Sequence, residues 1–382
     1  MDCKKILEMI DTLYSEYLRV WEDVCRIESP TESKSGVDAV GRYFTDMAKK
    51  RGWSVESELQ ERAGDIICIT LNPDAPGKPV TLSGHIDTVH PVGLFGENPV
   101  RRDEEFIYGP GVLDCKGGVV AAFLAMDALD QCGFRARPVQ LILQTDEETC
   151  GENSGKKTQA FMCRKGADSI AFLNTEPCER GTAVIQRKGI LRHRFHITGK
   201  AVHSSLCYKG ANAVAEAAYK ILQLETWKDP EGLTCNCGVI SGGTVANTVA
   251  ESCTFLTDIR FATQQQYARA EAFVQEVAET VFVPGCTCRL EKDTEGACME
   301  LVQSNIDLLE AINRISRENG LPQLTGRMSN GGSDAAYTTI AGIPTVDSIG
   351  VIGEGIHSIR EKAELRSLAE SAKRLAAVMV CL

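Results

Sequence analysis

The sequence predicts an α/β fold. It has a mainly parallel-sheet domain with helices on both faces, interrupted by a smaller inserted α+β domain. Three observations predict it. Short apolar runs bounded by turns alternate with stretches at helical spacing near both ends of the chain, as in strands joined by crossover helices. The middle of the chain changes to long alternating strands around two helical stretches, in the order β-α-β-β-α-β of the ferredoxin-like split sandwich. Polar residues follow directly on the apolar runs, where the ends of parallel strands face one crevice.

In chain order, residues 3–28 and 34–52 read as helices from apolar residues such as Ile6, Leu7, Met9 and Ile10. Residues 65–71 read as a strand, and 72–77 as a turn around two prolines and a glycine. Pro79–Ser83 is a second apolar run leading into Gly84-His85-Ile86-Asp87. A long loop, 90–106, precedes the glycine-rich stretch around Asp114, and a helix runs from there to about Cys132. Val139–Thr145 is a buried strand ending in Asp146-Glu147-Glu148, and Ser169–Asn174 is another ending before Glu176. Residues 183–295 form the expected inserted domain, with strands at 191–198, 251–261 and 286–290 and helices at 209–226 and 264–282. The chain returns to the first domain with helices at 301–319 and 334–341, a strand at 345–349, His357 in a loop, and a final helix at 361–381. The domain boundaries are thus 1–182 and 296–382 for the first domain and 183–295 for the insertion.

Composition narrows the function. The chain has 382 residues, 43% of them hydrophobic, and a net charge of −11. That charge argues against a nucleic-acid backbone or an anionic membrane as partner. No stretch reads as a membrane span or an apolar leader. The 16 scattered cysteines read as reduced thiols in a cytoplasmic protein. The pairs Cys235/Cys237 and Cys286/Cys288 have the alternation of one strand face and read as packing.

The chemistry lies in His85, Asp114, Glu147, Glu148, Glu176 and His357. Imidazole and carboxylate ligands suit hydrolytic zinc, cobalt or manganese. Three consecutive acids at a strand end repel one another unless a cation neutralises them. Two histidines and three carboxylates make two sites of three ligands if one carboxylate bridges, leaving the remaining acid as general base. Asp87 is placed to take the proton on the second nitrogen of His85 and fix its tautomer.

These residues, in this order over essentially the whole chain, resemble the M20 family of co-catalytic dizinc metallopeptidases. Gly84-His85-Ile86-Asp87 is similar to the family's G-H-x-D. Residues 109–118 resemble G-x-G-x-x-D-x-K-G-G, with Cys115 where a methionine is common. The resemblance implies two zinc ions, with cobalt or manganese as substitutes in vitro. Asp114 would bridge, His85 and Glu176 would hold one ion, and Glu148 and His357 the other. Glu147 would be the general base and Asp87 the partner of His85. The peptide Asp114-Cys115 would be cis, with Cys115 packing rather than ligating.

The inserted domain resembles the family's lid and dimerisation domain. His203, in Gly199-Lys200-Ala201-Val202-His203-Ser204, would reach the active site of a partner subunit in a homodimer and assist the oxyanion. Asn247 and Arg260 would hold a substrate carboxylate, a bidentate task that suits arginine. Gly331, Gly332 and Ser333 would line the specificity pocket. His90 sits in a loop near the site in a supporting place, and His193 and His196 lie on a lid strand.

The expected function is hydrolysis of an amide bond next to a free carboxylate, of glutamate carboxypeptidase type, on a small peptide or N-acyl amino acid. The alternatives are an N-acyl-amino-acid deacylase of the acetylornithine or succinyl-diaminopimelate kind, and a non-catalytic metal- or metabolite-binding homologue.

Overall fold

A computed structural model describes residues 2–230 and 232–382. The chain divides into two compact units. One holds the chain up to Ile185 with Leu301–Met328 and Tyr337–Leu382, and the other holds Gln186–Glu300 with Ser329–Ala336.

The first unit is built on a six-stranded sheet. Its spatial order is Ser54–Glu58, Ile66–Leu71, Val139–Gln144, Val80–His85, Ala171–Asn174 and Thr345–Val346. The four strands from Val139–Gln144 to Thr345–Val346 run parallel, and the first two are antiparallel additions. Both faces are covered, and alternation along each strand shows it. Ile67, Ile69, Leu141, Leu143 and Leu173 join a large core with the helices Cys3–Arg26, Lys34–Lys50, Lys116–Gln131 and Leu365–Cys381. Ile66, Cys68, Ile142 and Phe172 face the other way, onto Phe161 and Met162 of the helix Lys157–Gly166. Such double-sided burial explains the continuous apolar runs.

Lys116–Gln131 is the central helix, and it is buried from Lys116 to Leu129. Its first turn sits against the strand end: a Cβ on Gly118 would lie 2.0 Å from the Thr175 carbonyl, and one on Gly84 would lie 2.6 Å from Thr175 Oγ1. Only glycine permits that approach. The Lys116 ammonium is itself buried and donates to the carbonyls of Val24 and Ile27, closing the end of the first helix.

The second unit has a four-stranded antiparallel sheet in the order Thr234–Gly242, Ser252–Phe261, Gly189–Thr198, Thr287–Gly296, with the helices Ala213–Leu224 and Gln264–Glu279 packed in the same core. In chain order this is β-α-β-β-α-β.

Several elements depart from the sequence expectations. The last helix begins at Leu365 rather than 361, because Lys362–Glu364 pairs with Phe106–Tyr108 as a short strand. The 90–106 loop therefore ends in sheet. The strand at 345–349 shortens to Thr345–Val346, and the strand at 286–290 extends to Gly296. The strand Ser54–Glu58 and the helix Lys157–Gly166 carry too little apolar periodicity to announce themselves. The segment Ser329–Ala336 groups with the inserted unit because Arg187 donates to Ser329 Oγ and to the Gly331 and Gly332 carbonyls.

Candidate functional site

Strand register decides which side chains meet. His85 pairs with Gln144, and Ser83 pairs with Asn174. The strands therefore end nearly level, and the residues that follow, Glu147, Glu148 and Glu176, leave from one edge of the sheet. Asp114 arrives from the turn that starts the central helix, and its bond to Cys115 is cis. His357 arrives from a loop with a left-handed backbone, φ 58°.

Asp114 stands at the centre. His85 Nε2 lies 3.0 Å from its Oδ1, and His357 Nε2 lies 3.1 Å from its Oδ2. Each carboxylate oxygen thus faces a different imidazole. Glu176 is 3.7 Å from His85 Nε2, and Glu148 is 3.2 Å from His357 Nε2. His85, Asp87, Asp114 and Glu176 are buried, while the His357 side chain is 54% exposed and marks the open side.

The charges show what the cluster demands. Burial alone would push His85 down, but Glu176 by charge, and Asp114 and Asp87 by hydrogen bond, hold it well above the ordinary histidine value. His357 is pushed up to about 10 by its hydrogen bonds to Asp114 and Glu148. Burial drives Asp114 up, yet the two imidazoles more than offset this and hold its carboxyl below the usual range. Burial raises Glu148, and His357 only partly offsets it. This is a strongly anionic pocket that calls for cationic charge.

A metal ion would meet that demand, and the His, Asp and Glu side chains gathered here offer donors for one. Donor atoms about 2.0–2.2 Å from a tetrahedral zinc lie roughly 3.3–3.6 Å apart. The four separations around Asp114 run from 3.0 to 3.7 Å, so small outward shifts would admit an ion on each side. The tautomer is also suitable. His85 Nδ1 faces the Asp87 carbonyl at 3.0 Å and the Asp87 carboxylate at 3.5 Å, two acceptors that favour a proton on Nδ1 and would leave Nε2 to a metal.

Asp87 does more than orient His85. Its carboxylate accepts from Thr31 Oγ1 at 2.8 Å and from the Glu148 N–H at 3.2 Å, and the Glu147 N–H lies 3.4 Å from it. It therefore also holds the backbone of the acidic turn. Asp146, the first acid of that turn, accepts from Thr149 Oγ1 and the Ser154 N–H and is a scaffold group. Cys115 Sγ lies with donor atoms of His85 and Glu176 within 4.8 Å of one another. It donates to the Thr175 carbonyl at 3.2 Å, and burial pushes the thiol well up, so it keeps its proton and packs.

Two residues emerge that the sequence reading passed over or left in a supporting place. Glu361, read there as the start of a helix, is a buried loop carboxylate that accepts from the Gly111, Leu113 and Asp114 N–H groups. His90 Nε2 meets the same carboxylate at 2.8 Å. No spacing in the sequence signals that Glu361 touches a turn some 250 residues earlier.

The inserted unit carries the remaining candidates. His203 is exposed, and its Nδ1 accepts from the Ser205 N–H, which places the ring proton on Nε2. The Ser204 N–H donates to the Asn247 carbonyl, so His203 and Asn247 are neighbours. Arg260 Nε and Nη2 are engaged by Asp258, at 2.6 and 3.1 Å, and Nη1 reaches the Asn330 carbonyl at 3.5 Å. Asp258 also accepts from Arg192. Gly331 and Gly332 are held through their carbonyls by Arg187, and Ser333 Oγ accepts from the Ala335 N–H at the start of a short helix.

The chain is similar to several known proteins. The chain is 27% identical to carboxypeptidase G2 of Pseudomonas sp. strain RS-16 over 365 residues, covering 94% of this chain and 86% of that protein. It is 24% identical to a probable succinyl-diaminopimelate desuccinylase of Staphylococcus aureus over 314 residues, covering 71% and 74%. A crystal structure of a tripeptidase from Staphylococcus aureus superposes with a TM-score of 0.80 at 20% identity, covering 96% of this chain and 97% of that one. The family model of peptidase family M20/M25/M40 matches residues 81–380, a span that contains every ligand candidate above, and the chain belongs to that family of metal-dependent hydrolases.

Proposed function

We propose that this protein is a dizinc amidohydrolase of the glutamate carboxypeptidase type, cleaving an amide bond next to a free carboxylate in a small peptide or N-acyl amino acid. The observation that carries the reading is Asp114, whose two oxygens face two different imidazoles at 3.0 and 3.1 Å. His85, Asp114 and Glu176 would hold one ion, and His357, Glu148 and Asp114 the other. When bound, such ions supply Lewis acidity for the scissile carbonyl and make water acidic near neutral pH.

The chain's own residues supply the rest. Glu147, its backbone steadied by Asp87, takes the proton of the attacking water and passes it to the leaving amine. Asn247 and Arg260 orient the substrate carboxylate, with Asp258 fixing the guanidinium plane. Gly331, Gly332 and Ser333 line the pocket for the released residue. His203, contributed by the second copy of a homodimer, donates from Nε2 to the developing oxyanion. A dimer is supported by the edge strand Thr234–Gly242, which exposes Val239 and Ile240, and by Tyr219 and Leu222 on the helix Ala213–Leu224. The 16 cysteines, all free thiols, suit a cytoplasmic location.

A second reading, an N-acyl-amino-acid deacylase, is favoured by the desuccinylase relative, because the ligand set serves both reactions. The experiment that separates them is amine release by zinc- or cobalt-loaded protein from N-benzoylglutamate and from N-acetylornithine. Preference for the glutamate conjugate supports the carboxypeptidase reading. Preference for acetylornithine moves the protein to the deacylases, and no turnover of either, with metal bound, overturns both readings.

A further inference from the structure

Asp114 and His357 lie 243 positions apart, yet their side chains must meet to a few tenths of an ångström for the ligand geometry to exist. Something has to hold their two loops in register. The main sheet does not do so, because neither residue lies on one of its strands, and the short ladder of Phe106–Tyr108 with Lys362–Glu364 brings the two segments side by side but stops short of both residues.

One carboxylate joins the loops. Glu361 leaves the His357 loop and is buried. Its Oε1 accepts from the Leu113 N–H at 2.8 Å and the Asp114 N–H at 3.0 Å. Its Oε2 accepts from the Gly111 N–H at 3.2 Å and faces His90 Nε2 at 2.8 Å. Four donors converge on the two oxygens of one side chain. The backbone adds a further tie: the Gly109 N–H donates to the Glu361 carbonyl, and the Glu361 N–H donates to the Ser358 carbonyl, one residue from His357. His90 is backed by Phe95, whose ring meets it edge-on with centroids 5.0 Å apart.

We infer that Glu361 is a positioning residue, clasping the Asp114 turn to the His357 loop so that the two oxygens of Asp114 face both histidines at ligand spacing. The inference rests on the dizinc reading and adds to it the group that builds the bridge. An isolated buried carboxylate is costly, whereas one that receives four donors holds them rigidly. Glutamine at 361 would keep the shape, but its amide N–H groups would oppose the Gly111 N–H. The turn would then be free to shift by several tenths of an ångström, enough to spoil a ligand bridge while leaving the substrate-carboxylate contacts of the other unit intact.

The test compares wild-type, Glu361→Gln and His90→Phe full-length proteins. Zinc affinity is read by competition with a chromophoric chelator, kcat and KM on N-benzoylglutamate, and the metal-free fold by circular dichroism. Glu361→Gln is expected to weaken zinc binding roughly 10–100-fold, the range for groups that orient ligands. It should lower kcat at saturating zinc, with KM within about twofold of wild type and a native metal-free spectrum. His90→Phe keeps the ring against Phe95 but removes one donor, and should produce a smaller loss of zinc affinity, again without a change in KM. If Glu361→Gln does not fold, His90→Phe carries the test. Unchanged zinc affinity in the folded variants overturns the inference. So does a variant that raises KM while binding zinc normally. If the wild-type protein binds no zinc, the dizinc reading itself falls and this inference with it. Normal zinc binding with no turnover by the wild type overturns the substrate assignment alone, and the affinity comparison still decides the role of Glu361.

Discussion

Histidines meet glutamates in both units, with opposite results. Around Asp114, two imidazoles converge on three carboxylates, and both imidazoles are pushed well up. On the strand Gly189–Thr198, His193 is also buried and has a glutamate, Glu271, at 3.5 Å. That glutamate is shared with Lys292 at 3.2 Å, and burial pushes His193 down. Next to it, His196 pairs with Glu291 in solvent, where Arg289 competes for the same carboxylate. The same residue types thus make a cation-demanding cluster in one unit and ordinary structural pairs in the other. What differs is how many carboxylates press on each imidazole, and that Lys292 shares the glutamate facing His193. A histidine count would not separate the two places; the local balance of charge does.

The sharpest way to break this comparison is at the acid assigned to proton transfer. Glu147→Gln is expected to lower kcat by roughly 10²–10⁴-fold, the scale of a lost general base. Metal content and the unfolding midpoint should stay near wild type. Full activity in this variant would show that the anionic cluster binds metal without Glu147 taking part.

A second change separates the units. His203→Ala should reduce kcat by roughly 10²–10³-fold, the scale of one lost oxyanion donor, with no change in bound metal. The corresponding change at His196 should alter neither. Equal effects from both would dissolve the distinction.

The pH dependence sharpens it further. In metal-free protein the folded-state pKa of His357 is raised to about 10, above its unfolded value. Its stabilisation is fully present below about 6.5 and lost as the pH rises through 10. The melting temperature of chelated protein should fall over that window. Metal must displace the same protons, so zinc affinity should rise with pH and binding should release protons, measurable by calorimetry in buffers of different ionisation enthalpy.

The smallest effect is expected at His193. Its folded-state pKa lies below the unfolded value, so the unfolded chain binds more protons and the protein loses stability as the pH falls below about 6.5. His193→Gln should remove that acid sensitivity and shift the melting temperature by a few degrees at most. Zinc binding should not respond. A change in zinc affinity would contradict the separation of the two clusters.

The sequence by itself determined a good deal. Apolar runs at 65–71, 79–83, 139–145 and 169–174 announced strands, because strands buried on both faces leave no room for polar residues. The β-α-β-β-α-β order of the middle segment was legible because alternation survives wherever one sheet face is wet. His85, Asp114, Glu148, Glu176 and His357 could be named because each follows a strand end or a glycine-rich turn in a family motif. The tertiary structure alone decided how they meet. Register sets His85 level with Gln144, and nothing in either strand's own pattern dictates that pairing. It also decided that Asp87 holds the backbone of the acidic turn, that Arg187 ties Ser329–Ala336 to the inserted unit, and that Glu361 forms a loop clasp instead of opening a helix. The physical reason is range. Periodicity and capping act over a few residues and are written locally. A buried carboxylate is satisfied by whichever donors the fold brings to it, and here those donors come from a turn some 250 residues away.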